Sequence, residues 1–115
     1  ARDGPDCDRI PVMEITVAKI REWQNQNKEF HLLDVRRDDE REIASLGGVH
    51  IPLHDLEARF HELVHDKKPW IVYCHHGVRS LYATQFLKMH GYDALSLRGG
   101  IDLWSTEIDP TVPRY

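Results

Sequence analysis

Three things are scarce in this sequence, and each scarcity excludes a class of protein. No apolar run in the 115 residues approaches the roughly 20 residues that cross a bilayer. The formal net charge is −4, whereas nucleic-acid-binding and anionic-membrane-binding proteins present a basic face. We therefore expect no nucleic-acid partner and no membrane partner.

Cysteine is the third scarcity, with only Cys7 and Cys74 in the chain. Two isolated cysteines favour a reducing compartment over a disulfide framework, so we expect a cytoplasmic protein. The eight histidines include two His-x3-His pairs, at 50/54 and 61/65, but the chain has no Cys-x2-Cys pair. Two histidines alone do not complete a zinc site, so we expect no metal site.

The order of the elements predicts an α/β fold. Residues 1–11, with Gly4, Pro5 and Pro11 among charges, indicate a flexible leader or linker before a single domain at 12–115. Strands are predicted at 14–16, 30–35, 70–74 and 94–97, with a short one from 49 that Pro52 stops. Helices are predicted at 37–44, 55–64, 80–90 and 101–108, and from the cap Thr16 to about Asn25. Short apolar strands alternating with helices are typical of a parallel sheet covered on both faces.

Ligands of such sheets bind beyond the carboxyl ends of the strands. Cys74, Asp34 with Arg36, and Arg98 all lie at the carboxyl ends of predicted strands. We expect these residues to meet at one edge of the sheet.

The stretch from Cys74 to Arg79, CHHGVR, carries the chemistry. A glycine-containing loop before a helix turns backbone amides inward, and the first amides of the helix lack internal partners. The anion available to them is the sulfur of Cys74, which becomes a nucleophile when it is deprotonated. Substrate binding is assigned to the loop residues His75, His76, Gly77, Val78 and Arg79.

Simpler interpretations exist for each of these residues. A cysteine that ends a buried strand is commonly inert packing, and adjacent histidines in a loop commonly face solvent. Asp34, Arg36 and Glu40 fit a structural ion pair or turn cap, with electrostatic support of the site as the alternative for Arg36. Arg98 is either a second such support or a solvated arginine at a turn. Tyr115 is most simply a core contact.

Four blocks together resemble the rhodanese (sulfurtransferase) domain family: LLDVRRDDERE at 32–42, IPL at 51–53, YCHHGVRS at 73–80 and LRGGIDLW at 97–104. The resemblance implies a single domain with a five-stranded, mainly parallel sheet and helices on both faces. It also implies that Cys74 accepts a sulfane sulfur from thiosulfate or a protein persulfide, holds it as a persulfide, and needs no cofactor. The region Ile43-Ala44-Ser45 stands where a glycine-histidine pair is usual, so the conformation of that loop is open.

The acceptor implied by the resemblance is cyanide, a thiol or a ubiquitin-like sulfur carrier. The segment PDCDRIPVMEITV resembles the linker that joins some adenylyltransferase domains to a rhodanese domain. Because the chain also starts at Ala1 rather than Met, excision from such a fusion is one expectation and a stand-alone protein is the other.

Two other functions remain open. Cysteine phosphatases place five residues between the cysteine and the arginine of their loop, whereas four separate Cys74 from Arg79. A smaller loop fits a sulfur-sized anion better than a phosphoryl group. The second alternative is a non-catalytic binding module, which the presence of Cys74 disfavours.

Overall fold

The computed structural model describes residues 13–115. The predicted leader at 1–11 and Cys7 lie outside the described residues. In the described part, the strands are β1 Glu14–Ile15, β2 His31–Asp34, β3 Val49–His50, β4 Trp70–Tyr73 and β5 Ala94–Leu97. The helices are α1 Val17–Asn25, α2 Asp38–Ile43, α3 Leu56–Arg59, α4 Val78–Met89 and α5 Gly100–Glu107.

All strand pairs within residues 13–115 are parallel, in the order β1-β5-β4-β2-β3. The central strand β4 is buried throughout, as its unbroken apolar sequence predicts. In the register of the sheet, Asp34 lies beside Tyr73. The residues that follow these two strands therefore emerge at the same edge, which confirms the predicted convergence of Cys74 with Asp34 and Arg36.

The alternation of side chains along β4 explains why helices cover both faces. Val72 and Cys74 belong to one buried cluster, with Ala83 and Leu87 of α4. Ile71 and Tyr73 point the other way, into a second cluster formed with α1 and α5. The fold predicted from the sequence is confirmed.

Helix α1 begins where the sequence predicts it. Thr16 is the N-cap, and its Oγ1 accepts a hydrogen bond of 3.1 Å from the amide of Lys19. Val17 and Ile20 of this helix are buried against the sheet. No helix of the described residues combines the length and the apolar character needed to cross a bilayer.

The single helix predicted at 55–64 is wrong. A short α3 lies between two 3₁₀ segments, Leu53–Asp55 and Phe60–Glu62. The Tyr92 hydroxyl donates to the carbonyls of Phe60 and Leu63, and the Trp70 indole donates to the carbonyl of Val64. These tertiary hydrogen bonds occupy carbonyls that a continued helix would use.

Candidate active site

Cys74 is the first residue after β4, and its sulfur lies at the start of α4. The amide of Gly77 donates to Sγ at 3.0 Å, and the amide of Ser80 donates at 3.4 Å. Both amides belong to the group at a helix start that has no intrahelical partner, and the helix dipole adds partial positive charge there. The sulfur thus occupies the place of an N-cap acceptor, in surroundings that stabilise a thiolate.

Helix α4 begins at Val78, two residues earlier than the sequence predicts. Gly77 precedes it with φ of 106°, a left-handed conformation that costs glycine little. Consequently Arg79 and Ser80 lie in the first turn of the helix rather than in the loop. This early start brings the Ser80 amide to the sulfur.

Helix α5 holds the other side of the loop. The amides of Ile101 and Asp102 donate to the carbonyls of Cys74 and His75 at 2.9 Å and 3.1 Å. A Cβ at Gly100 would overlap both carbonyls, so only glycine permits this approach. The Gly99-Gly100 pair, predicted as a turn, therefore also admits the backbone of Cys74 and His75.

Ser80 and Ser96 add a buried hydroxyl pair that the sequence did not single out. Ser80 Oγ lies 3.5 Å from Cys74 Sγ and donates to the carbonyl of Gly77 at 3.1 Å. Its distance to Ser96 Oγ is 2.6 Å, and both serines are fully buried. The two hydroxyls thus hold the Gly77 carbonyl of the loop next to the sulfur.

Arg79 is bound to a carboxylate. Its two terminal nitrogens donate to the two oxygens of Glu40 at 2.6 Å and 2.9 Å. The bond to Arg79 is the largest cause that lowers the pKa of Glu40 from 4.5 to about 2. Glu40 raises the pKa of Arg79 most, and the Cys74 sulfur contributes to the same shift. The guanidinium is thus permanently charged and close enough to Cys74 to interact electrostatically.

The two histidines of the loop differ. The His75 ring lies parallel to the rings of His76 and Tyr115, with centroids 4.0 Å away on each side. Burial is the main cause that lowers the pKa of His75 from 6.5, so this ring is neutral at neutral pH. His76 is exposed, with Nδ1 3.9 Å from Asp102. This arrangement favours stacking over positive charge as the contribution of His75.

Arg36 and Asp34 form a fully buried pair. The five N–H donors of Arg36 all meet protein acceptors: both oxygens of Asp34, the carbonyls of Glu40 and Ala44, and the hydroxyl of Tyr115. No donor remains for a substrate, so the geometry favours the structural interpretation of Arg36 over the attraction of donors.

The remaining predicted residues lie at the rim. Arg98 is exposed after β5, and electrostatic support from it stays a prediction. Val78 is 64% exposed directly beside the loop. Residues 43–45, whose conformation the sequence left open, supply the Ala44 carbonyl to Arg36.

Comparison of the sequence with family models identifies its family. The model described as the rhodanese-like domain matches residues 16–107. The chain belongs to the rhodanese-like domain family. The resemblance noted in the four sequence blocks is confirmed.

Relatives and solved structures agree. YtwF of Bacillus subtilis, named provisionally as a sulfurtransferase, is 29% identical over 102 residues, which cover 88% of this chain and 98% of that protein. The adenylyltransferase and sulfurtransferase MOCS3 of Arabidopsis thaliana is 35% identical over 108 residues, 78% of this chain but 23% of that protein. A rhodanese-related protein from Thermoplasma volcanium superposes with a TM-score of 0.77 at 32% identity, covering 90% of this chain and 99% of that one.

This chain therefore spans nearly all of one curated relative and about a quarter of the other. The family and the names of its relatives support a role in sulfur transfer in general.

Proposed function

We propose that this protein is a sulfurtransferase of the thiosulfate sulfurtransferase type, in which Cys74 carries a sulfane sulfur as a persulfide. The observation that supports the proposal most is the pair of amides, from Gly77 and Ser80, that donate to Sγ. They favour an anionic sulfur, which is the form that attacks a sulfur donor. An inert packing cysteine has no need of such donors.

The proposed reaction has two steps, formation of the persulfide and transfer of its outer sulfur. The Cys74 thiolate attacks the outer sulfur of thiosulfate, a Cys74–sulfur bond forms, and sulfite leaves with the electron pair of the broken S–S bond. A nucleophilic acceptor then attacks the outer sulfur of the persulfide, and the electron pair returns to Cys74. The loop amides and the charge of Arg79 stabilise the anionic sulfur in both states.

The acceptor is a thiophilic nucleophile: cyanide, a thiol or a ubiquitin-like carrier. The carrier is supported by the likeness to MOCS3, whose name joins sulfurtransferase to adenylyltransferase. A protein persulfide is the alternative donor to thiosulfate, and its outer sulfur is attacked by Cys74 in the same step. A nucleophilic thiol of this kind operates in a reducing compartment, and we place it in the cytoplasm.

The phosphatase alternative is disfavoured by the direction of Arg79. A phosphatase loop needs its arginine free to bind the phosphoryl oxygens. Here both terminal nitrogens of Arg79 bind Glu40. The spacing of four residues between Cys74 and Arg79 agrees with this.

The test measures conversion of thiosulfate and cyanide to thiocyanate, beside hydrolysis of an aryl phosphate. We expect thiocyanate formation by the wild type and by Cys7→Ser, none above background by Cys74→Ser, and no phosphatase activity in any of the three. Equal sulfur transfer by Cys74→Ser would refute the proposal. Phosphate release that depends on Cys74 would establish the phosphatase instead.

A further inference from the structure

Tyr115 connects two arginine–carboxylate pairs, Arg36 with Asp34 and Arg79 with Glu40. Its hydroxyl accepts a hydrogen bond of 2.7 Å from Arg36 and donates one of 2.9 Å to Glu40. Glu40 in turn holds Arg79. A chain of charge-assisted hydrogen bonds therefore runs from a fully buried arginine to the arginine beside Cys74.

Tyr115 also contacts the loop directly. Its ring is parallel to the ring of His75 within 11°, at a centroid distance of 4.0 Å. His75 is the first residue of the loop after Cys74, and Arg79 is the last residue before Ser80. One side chain thus holds both ends of the segment 75–79.

Two requirements on the loop make these contacts of Tyr115 useful. It must keep the amides of Gly77 and Ser80 directed at the sulfur. It must also yield to a donor, because Cys74 is only 1% exposed. The contacts at the two ends of the loop set the balance between these requirements.

We propose that Tyr115 is a positioning residue of the Cys74 loop and of the first turn of α4, which it holds through the His75 ring in the loop and through Glu40 and Arg79 in the helix. The effect on sulfur transfer rests on the proposed function, whereas the effect on the loop does not. In the sequence Tyr115 is 41 positions from Cys74, and no motif marks it.

The chemistry of the phenol suits this role. Burial is the main cause that raises the pKa of Tyr115 to about 12. The hydroxyl therefore keeps its proton at neutral pH and remains a donor to Glu40. Phenylalanine at this position would retain the stack on His75 and lose both hydrogen bonds, while leucine would lose both kinds of contact.

The first experiment measures amide hydrogen exchange at Gly77 and Ser80. Neither amide has a backbone partner in α4, so its protection comes from the sulfur and the closed loop. We expect exchange to rise about threefold in Tyr115→Phe, from the lost hydrogen bonds, and about tenfold in Tyr115→Leu, from the additional loss of the stack.

The matched control is Tyr82→Phe, since Tyr82 is 67% exposed on α4. Exchange at the amides of β2 should be unchanged in every variant, which separates loop opening from global unfolding. If Tyr115→Leu does not fold, Tyr115→Phe decides the question. Wild-type exchange at Gly77 and Ser80 in the folded Tyr115 variants would overturn the proposal.

The second experiment asks whether the hydroxyl acts through Glu40. The rate of persulfide formation from thiosulfate is measured for Tyr115→Phe, Glu40→Gln and the double variant. We expect the double variant to be no slower than Glu40→Gln, since the hydroxyl would have lost the group through which it acts. Slowing equal to the product of the two single effects would refute this coupling.

The proposed function and the role of Tyr115 are refuted by different results. A wild-type protein that formed no persulfide would refute the proposed function. Amide exchange at Gly77 and Ser80 would still decide the role of Tyr115.

Discussion

Two of the bidentate arginine–carboxylate pairs have a buried carboxylate, and the surroundings of these two pairs differ. Arg36 and Asp34 are two residues apart at the end of β2, and both side chains are completely buried. Arg79 and Glu40 are 39 residues apart, with side chains 31% and 5% exposed. Both pairs are bidentate, yet the first is fully buried and the second is partly exposed and interacts with Cys74.

The two arginines differ in how many of their side-chain N–H donors are hydrogen-bonded. Arg36 has none left over, so it fixes the turn after β2 and the hydroxyl of Tyr115. Arg79 uses one hydrogen of each terminal nitrogen on Glu40 and retains further N–H hydrogens, and its charge interacts with the Cys74 sulfur. We expect the first pair to contribute to stability and the second to the proposed sulfur transfer, and substitutions can separate the two roles.

The largest effect is expected from Arg36→Met. Methionine fills much of the same volume but removes the bidentate partner of the buried Asp34. The carboxylate keeps only the amide of residue 36 and a 3.3 Å contact with Arg41, and the loss costs about 3–5 kcal/mol of unfolding free energy. Urea denaturation measures this loss. Its control is Arg37→Met, the next residue, whose pair with Asp39 is exposed and should be worth less than about 1 kcal/mol. Equal stabilities for the two variants would show that the buried pair does not hold the turn.

The second-largest effect is expected when acid protonates Glu40 and breaks its pair with Arg79. Its folded pKa is about 2 against an ordinary 4.5. The stabilisation is therefore complete above pH 4.5 and is lost as the pH falls through 2. The shift corresponds to about 3 kcal/mol. We expect the stability difference between wild type and Glu40→Gln, from urea denaturation, to shrink from pH 5 to pH 2.

For this titration, the same substitution at the exposed Glu57 serves as the control. Its difference from wild type should stay constant over the pH range. A constant difference for Glu40→Gln as well would contradict the depressed pKa.

Arg79→Met should affect the reaction more than the fold. We expect persulfide formation from thiosulfate to slow about tenfold, because the permanent positive charge near the sulfur is removed. The cost in stability should stay near 1 kcal/mol, since Arg79 is partly exposed and Glu40 keeps its bonds to Tyr115 and to the Arg37 amide. Stopped-flow rates and urea denaturation measure the two effects.

Arg59→Met, which removes an exposed pair with Glu62, is the matched variant for Arg79. It should retain the wild-type rate. If Arg79→Met also kept that rate, the positive charge would have been assigned to the wrong residue.

Ser80→Ala is expected to have the smallest effect. It removes one of the two hydrogen bonds to the buried Gly77 carbonyl, which keeps the amide of Leu81, and it removes the partner of the buried Ser96 hydroxyl. We expect a cost of about 1–2 kcal/mol and persulfide formation about threefold slower. Ser45→Ala removes a hydroxyl at an exposed position and should leave the rate unchanged. A Ser80→Ala protein as fast and as stable as wild type would show that the serine pair does not shape the loop.

Much of the fold was predictable because the strands are apolar runs of the right length. The run at 70–74 predicted β4, and its position before a glycine-containing loop predicted Cys74 at the edge of the sheet. The four sequence blocks identified the family, which the match over residues 16–107 confirms.

Three features were not predictable from local patterns. The early start of α4 depends on a sulfur atom acting as the cap acceptor, which no helix-start rule includes. The break at α3 depends on Tyr92, about 30 residues away. The contacts of Tyr115 with Glu40 and His75 join residues 75 and 40 positions apart. Each depends on tertiary contact, for which the sequence carries no local signal.

Mass spectrometry of the peptide that contains Cys74, after thiosulfate treatment, tests the central claim most directly. The wild-type peptide should gain about 32 Da, one sulfur atom, and lose it again on addition of cyanide. The corresponding peptide of Cys74→Ser should gain nothing. A wild-type peptide without added sulfur, or equal labelling of both proteins, would contradict the claim that this amide-held thiolate carries the sulfur.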